Sequence, residues 1–296
     1  MKNRKMLGNL LLTLTALIWG TAFVAQRVGM DSIEPMTFTA ARSVLAAAGL
    51  SVVSLLMRGR GAGTGANRRD TVLGGVCCGL FLAAASIFQQ MGLVTTSAGK
   101  AGFITAMYML LVPVISFVFF RRKVGWIVWL AVGIGVAGMY LLCVTEDFSL
   151  TRGDALVCVC AFLFSGHILC CDHFARRGDP VRISAIQFAT VAVIAGAGAL
   201  VVETPDWDKI ASAAVPVLYC GIMSSGVAYT LQIVAQKYTD PTVASLLMSL
   251  ESVFAALAGA VLLGERMSAR ELVGCVVMFA AIVLVQLPAP RAKRER

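Results

Sequence analysis

Residues 8–40 read GNLLLTLTALIWGTAFVAQRVGMDSIEPMTFTA. Residues 153–185, which lie 145 positions later, read GDALVCVCAFLFSGHILCCDHFARRGDPVRISA. The two stretches align without a gap. Their identical pairs are Gly8/Gly153, Leu11/Leu156, Ala16/Ala161, Pro35/Pro180 and Ala40/Ala185. A chain that repeats itself at a fixed period is built from copies of one structural unit. The sequence therefore predicts two copies, residues 1–145 and residues 146–296.

The composition of both copies is that of a protein embedded in a lipid bilayer. Of the 296 residues, 58% are hydrophobic and only 14% are charged, and the mean hydropathy is +0.83. A soluble domain has roughly 25% charged residues, so these charges are too few to cover a soluble globule. The basic start Met1–Lys5 resembles a secretory signal peptide. We interpret it instead as the flank of a first span, because the apolar run continues to Phe23.

The apolar runs predict ten membrane-spanning helices, since a hydrocarbon core of ~30 Å needs about 20 apolar residues per helix. The predicted fold class is therefore an all-α integral membrane protein with five helices per repeat. The predicted spans are Leu7–Val28, Ile33–Met57, Thr71–Leu93, Ala98–Phe120 and Val124–Val144 in the first copy, and Gly153–Ala175, Ile183–Val202, Ile210–Tyr238, Pro241–Leu263 and Ala269–Leu287 in the second.

The positive charges predict the orientation of these spans. Most of the 25 lysines and arginines lie at the N-terminus, the C-terminus and every second loop. The exceptions on the opposite side are Arg27, Arg152, Lys209, Arg266 and Arg270. Cytoplasmic loops carry the excess of Lys and Arg, so both termini are expected in the cytoplasm and the protein in the cytoplasmic membrane. Nucleic-acid binding is disfavoured, because the charges are scattered over short loops.

The number of spans per copy fixes how the two copies are related. A repeat with five spans leaves the membrane on the side opposite its entry, so the second copy is expected upside-down relative to the first. Inverted repeats of this kind are common in transporters, where they surround a central binding site.

The nine cysteines indicate neither a disulfide framework nor a cofactor. Their number is odd and they lie inside predicted spans, where free cysteine packs as a small hydrophobe. A metal site formed by Cys170, Cys171 and His173 is the alternative, but neighbouring residues on a helix point about 100° apart. The Gly133–Gly138 stretch, GIGVAG, matches a dinucleotide fingerprint but has no preceding strand. We predict no metal and no cofactor.

Among the formally charged residues inside the predicted spans, three are candidates for a binding site: Arg42, Lys100 and Glu251. A charge at the bilayer centre costs about 2.5–3.5 kcal/mol on insertion scales, so such residues mark functional sites by default. We expect Arg42 or Lys100 to bind a substrate anion and Glu251 to bind a substrate amine or a proton. The alternatives are a structural ion pair and, for Lys100, a side chain that extends to the membrane surface.

Uncharged polar residues inside the spans extend the predicted site. Gln89 and Gln90 lie late in the third span, and Gln232 occupies a similar place in the eighth. His167 is interpreted as a hydrogen-bonded packing histidine, although it could titrate. Pro113 and Pro216 lie within spans, where proline can kink a helix and open a cavity.

Several motifs resemble the EamA family of the drug/metabolite transporter superfamily. The family's C-terminal signature is resembled by ESVFAAL at 251–257 and LLGERMS at 262–268. The start of the family's repeat is resembled by WGTAF at 19–23 and AAR at 40–42. The stretch TSAGKAGF at 96–103, with Pro113 after it, resembles the fourth helix of the family. Two positions depart from the family pattern: Ser252 stands where proline is usual, and Phe164-Ser165 replaces the Trp-Gly pair in the second copy.

This resemblance implies a cavity lined by the third, fourth, eighth and ninth spans and transport of small metabolites, often export. It points to Gln89, Gln90, Lys100 and Glu251, but not to Arg42. We therefore predict a secondary transporter, not an enzyme, that moves a small metabolite such as an amino acid by alternating access, with proton coupling through Glu251 as a hypothesis. No protein partner is predicted.

Two other functions fit the sequence less well. A membrane sensor or assembly subunit would normally carry a soluble signalling domain, and the short loops leave no room for one. An intramembrane lipid-modifying enzyme would need a catalytic cluster, and the sequence places no such cluster beside His167 or His173.

Overall fold

The computed structural model describes residues 2–58, 66–96, 98–143, 151–262 and 267–286. Within these ranges every regular element is a helix, as the all-α fold class predicted. Helices dominate because a bilayer supplies no hydrogen-bond partners, so backbone groups must pair within one segment. The α-helices are α1 (Lys2–Met30), α2 (Pro35–Arg58), α3 (Arg68–Leu93), α4 (Ala98–Ala106), α5 (Tyr108–Val118), α6 (Trp126–Cys143), α7 (Arg152–Ala175), α8 (Pro180–Val202), α9 (Trp207–Ser212), α10 (Ala214–Tyr219), α11 (Tyr229–Gln236), α12 (Pro241–Met248), α13 (Glu251–Leu262) and α14 (Ala269–Gln286), and a π-helix covers Cys220–Ala228.

Eight helical stretches in the described part of the chain are long and apolar enough to cross a membrane. They are Asn3–Met30, Pro35–Met57, Arg68–Leu93, Ala101–Val118, Arg152–Ala175, Pro180–Val202, Ala214–Gln236 and Pro241–Leu262. Each coincides with one of the predicted spans. The apolar helix Trp126–Leu141 is shorter and lies at the fifth predicted span, and α14 lies at the tenth. The count of ten therefore stays a prediction.

Counterpart helices of the two repeats pack against each other in opposite directions. The carboxylate of Glu203, just after the end of α8, accepts hydrogen bonds from the backbone N–H groups of Met36 (2.8 Å) and Thr37 (2.7 Å) at the start of α2. In the same way, the guanidinium of Arg270 at the start of α14 lies 5.4 Å from the ring centre of Tyr140 near the end of α6. This is the inverted relation that the five-span repeat predicts.

The Glu203 cap gives the first testable prediction. Its carboxylate satisfies N–H groups that have no partner within α2 and places negative charge at a helix N-terminus, where it is favoured. We expect Glu203→Ala to lower the free energy of unfolding by about 1–2 kcal/mol, measured by thermal or denaturant unfolding of the detergent-purified protein. Asp208→Ala, which removes an exposed carboxylate nearby, is the matched control. An equal loss in both variants would contradict the assignment of the cap.

The fourth and ninth predicted spans are both interrupted in the middle. The fourth breaks at Met107, between α4 and α5, and the ninth breaks between α12 and α13. At the second break, Leu250 N–H donates to the carbonyl of Leu247 (3.3 Å), and the Ser249 hydroxyl donates to the carbonyl of Leu246 (2.7 Å). The hydroxyl thus satisfies a carbonyl oxygen that lies far from water.

Neither interruption lies at a proline, and the kinks expected at Pro113 and Pro216 stay a prediction. Pro113 lies inside α5, and the ninth span is interrupted although Ser252 replaces the proline usual in the family. Pro216 lies in α10, and the eighth span then continues as the π-helix Cys220–Ala228. π-Helical segments inside α-helices occur frequently at functional sites.

Candidate functional site

A narrow cavity lies in the bundle between the two interrupted spans. The volume open to the centre of a water molecule is about 30 Å³. A buried water needs about 10–15 Å³ of such volume, so the cavity has room for two or three water molecules in this conformation. The lining residues are Trp19, Phe23, Gln26, Arg42, Gln89, Thr105, Tyr108, Phe164, His167, Ile168, Ser224, Tyr229, Gln232 and Glu251.

Glu251 lies at this cavity, and its position is set by the two interruptions. It is the first residue of α13 and Tyr108 is the first residue of α5. The Tyr108 hydroxyl donates a hydrogen bond of 2.8 Å to Glu251 Oε1. Glu251 is only 4% exposed. One hydrogen bond therefore joins the breaks of the two repeats beside the cavity.

Arg42 lines the same cavity, although the family resemblance did not point to it. Its Nη1 donates to Gln26 Oε1 at 3.3 Å, and the guanidinium lies 5.7 Å from the ring centre of Phe38. Its Nε has no hydrogen-bond partner and the side chain is 5% exposed. No carboxylate pairs with Arg42 among the residues that the structure describes. Burying a cation of this kind costs free energy unless a ligand or water supplies the missing hydrogen-bond partners.

The predicted glutamines divide into two groups. Gln89 lines the cavity and donates from Nε2 to Thr105 Oγ1 at 3.2 Å. Gln232 also lines it, and neither its amide nitrogen nor its amide oxygen has a partner although the side chain is fully buried. Gln90 is buried but does not line the cavity, and its Nε2 lies 3.7 Å from the sulfur of Met30. The side chain of Lys100 lies outside the described residues.

Aromatic rings form one wall of the cavity. The ring centres of Trp19 and Tyr229 are 4.6 Å apart, and those of Tyr229 and His167 are 5.7 Å apart. Trp19 Nε1 donates to the carbonyl of Ser224 at 3.4 Å. Sequence reasoning missed Tyr108 and Tyr229 as site residues. The available signal was their position in the middle of spans, since tyrosine in membrane helices is enriched at the interfaces instead.

Comparison with known proteins identifies relatives along almost the whole chain. The model of the EamA-like transporter family matches residues 6–144 and again residues 151–287. An uncharacterized transporter of Archaeoglobus fulgidus is 28% identical over 289 residues, which cover 96% of this chain and 87% of the relative. A WAT1-related chloroplastic protein of Arabidopsis thaliana is 28% identical over 290 residues, which cover 91% of this chain and 67% of the relative.

A solved crystal structure shares the fold. It superposes with a TM-score of 0.79, and the match covers 95% of this chain and 96% of that chain. The two sequences are 19% identical, so this likeness concerns the architecture alone.

Proposed function

The chain belongs to the EamA-like transporter family, and we propose that it is a secondary active transporter that exports a small metabolite of the amino acid class across the cytoplasmic membrane by alternating access. The observation that carries the proposal is the narrow cavity between the interrupted fourth and ninth spans, with Glu251 and Arg42 in its lining. Interrupted helices at the interface of inverted repeats form the binding sites of many transporters.

The lining suits a zwitterion with an apolar side chain. Arg42 offers a guanidinium with an unpartnered Nε, and Glu251 offers a carboxylate whose second oxygen is free of the Tyr108 bond. The buried Gln232 amide adds a donor and an acceptor without partners. Buried polar groups normally have partners, so these groups are available for a substrate carboxylate, a substrate amine or water. The aromatic wall of Trp19 and Tyr229 provides apolar contact area.

The small volume supports a conformational cycle rather than a fixed open pore. A cavity for two or three waters is too small for an amino acid, so the helices that enclose it must separate before substrate enters. Inverted repeats provide two nearly equivalent arrangements, one open to each side. Glu251 is the group that we propose for proton exchange in this cycle, and both termini are proposed to be cytoplasmic.

Substrate binding is tested by thermal stabilisation of the detergent-purified protein over a panel of amino acids, their amides and their decarboxylated amines. We expect zwitterions with apolar side chains to raise the unfolding temperature, because a ligand that binds only the folded state stabilises it. Amides and amines of the same residues are expected to act weakly. No response across the panel would favour a non-transporting subunit instead.

The anion-binding role of Arg42 gives a second prediction. A hydrogen bond to a charged group contributes about 1.5–3 kcal/mol, so Arg42→Gln is expected to weaken binding of the amino acid about 10–100-fold. Binding of the corresponding amine should change much less. Arg27→Gln removes an exposed arginine from α1 and serves as the control. An equal loss for amino acid and amine would show that Arg42 does not contact the carboxylate.

A further inference from the structure

A cluster of thiols and an imidazole lies between α3 and α7, beside the central cavity. Cys78 and Cys171 are fully buried and His167 is 1% exposed. One potential ligand atom from each of the three residues lies within 4.8 Å of the other two. The Sγ atoms of Cys171 and Cys78 are 3.6 Å apart, and Cys171 Sγ lies 3.5 Å from His167 Nε2.

These residues are not the set that the sequence suggested as a metal alternative. His173 faces away from the cysteines, because its Nε2 contacts Arg177 Nη1 and its ring packs edge-on against Phe174. His167 lies one helical turn before Cys171, so their side chains share a face of α7. Cys78 comes from the other repeat, and only helix packing brings it close to His167 and Cys171.

The spacing of the three ligand atoms fits a tetrahedral cation. Zinc bonds of about 2.3 Å to sulfur and about 2.0–2.1 Å to nitrogen place two sulfurs about 3.8 Å apart and a sulfur and a nitrogen about 3.6 Å apart. The observed sulfur–sulfur distance is 3.6 Å, and the two His167 ring nitrogens lie 3.5 Å and 4.0 Å from Cys171 Sγ. The Cys78 sulfur and the His167 ring lie within 4.8 Å of each other, so side-chain adjustments of up to about 1 Å would complete the coordination.

A second contact orients the imidazole. His167 Nε2 lies 3.1 Å from Gln187 Oε1, so a protonated Nε2 donates to the amide and leaves the lone pair on Nδ1, 4.0 Å from Cys171 Sγ. Histidine ligands of metals almost always donate their other N–H to a carbonyl or carboxylate in this way. Cys170 Sγ, 3.4 Å from Cys78 Sγ, places a further sulfur at the edge of the cluster.

We propose that Cys78, Cys171 and His167 form a binding site for a thiophilic divalent cation of the zinc class. Two thiolates and a neutral imidazole balance a charge of +2, and a neutral site is the arrangement that an apolar interior tolerates. Binding releases the two thiol protons, because the thiolate is the ligand. His167 also lines the central cavity, which gives the cation a route to the cluster. The site does not depend on the proposed transport function.

Cadmium titration of the reduced, detergent-purified full-length protein tests the site. We expect one Cd²⁺ per chain with an ultraviolet thiolate-to-metal absorption band, release of about two protons per ion, and displacement by Zn²⁺. Cys78→Ser and Cys171→Ser are expected to remove the band. Cys220→Ser and Cys275→Ser, which alter buried cysteines outside the cluster, should retain it.

A variant that keeps all three ligands guards against loss of fold. Gln187→Ala removes only the partner of the imidazole, and we expect its cadmium affinity to fall about 10–100-fold with the band retained. Absence of the band in the wild-type protein would overturn the proposal. So would a band of equal strength in Cys78→Ser, or an affinity that Gln187→Ala leaves unchanged.

Discussion

Glu251→Gln is expected to abolish proton-driven accumulation of substrate while leaving the protein folded. Glutamine has the size of glutamate and can still accept the 2.8 Å hydrogen bond from Tyr108, but it cannot exchange a proton. With one proton exchanged per substrate, a pH difference of about one unit supports roughly tenfold accumulation on the acidic side, since 1.36 kcal/mol corresponds to a factor of ten. Without coupling, that ratio falls to about one.

The measurement is uptake into proteoliposomes with an imposed pH gradient, paired with substrate exchange in the absence of a gradient. Ser252→Ala is the matched control, because Ser252 is adjacent in α13, is equally buried and contacts the sulfur of Met139 rather than the cavity. We expect Ser252→Ala to keep the accumulation ratio. If Glu251→Gln kept full pH-driven accumulation, the coupling role would be wrong.

Gly20→Val is expected to disrupt the contact between α1 and α13 and with it the cavity. A Cβ at residue 20 would lie 2.5 Å from the Cβ of Phe254 and 2.8 Å from both the carbonyl oxygen of Glu251 and the backbone nitrogen of Ala255. Backbone atoms cannot turn aside as a side chain can, so α1 must move away. Overpacking typically costs about 1–3 kcal/mol, and the branched valine adds two further carbons at this contact.

We expect the free energy of unfolding to fall by at least that amount and substrate binding to be lost, measured by thermal unfolding with and without substrate. Gly49→Ala is the control, since a Cβ at residue 49 meets no atom within 4 Å. Alanine there should stabilise α2 by up to about 1 kcal/mol, because it has the higher helix propensity. Equal stability of the two variants would contradict the close approach at Gly20.

The family motifs gain a physical explanation from these contacts. Gly20 belongs to the WGTAF motif of the first span and meets the backbone at Glu251, where the C-terminal signature begins. The sequence linked both motifs to one family but gave no distance between them. Their contact arises because α1 packs on α13 across the two repeats.

The cost of burying polar groups singled out residues of which four line the cavity, and their role in substrate binding stays a prediction. Arg42, Gln89, Gln232 and Glu251 all line the cavity, and Arg42 was found because a charge inside a span needs a partner. Tyr108 was missed, because an uncharged tyrosine inside a span does not carry the cost of a buried charge. Its role depends on where the fourth span is interrupted, and no proline marks that point.

The sequence by itself determined the membrane class, the duplication, the transporter family and the odd number of predicted spans per copy that implies inversion. The membrane class, the duplication and the span count follow from composition and periodicity, and the family follows from short motifs that resemble it. All of these are properties of local sequence. Only the tertiary structure decided which residues meet: Tyr108 with Glu251, Gly20 with α13, and Cys78 with His167 and Cys171. Each of these pairs joins the two repeats, and side chains from two separately encoded helices meet only when helix packing sets their rotation and depth.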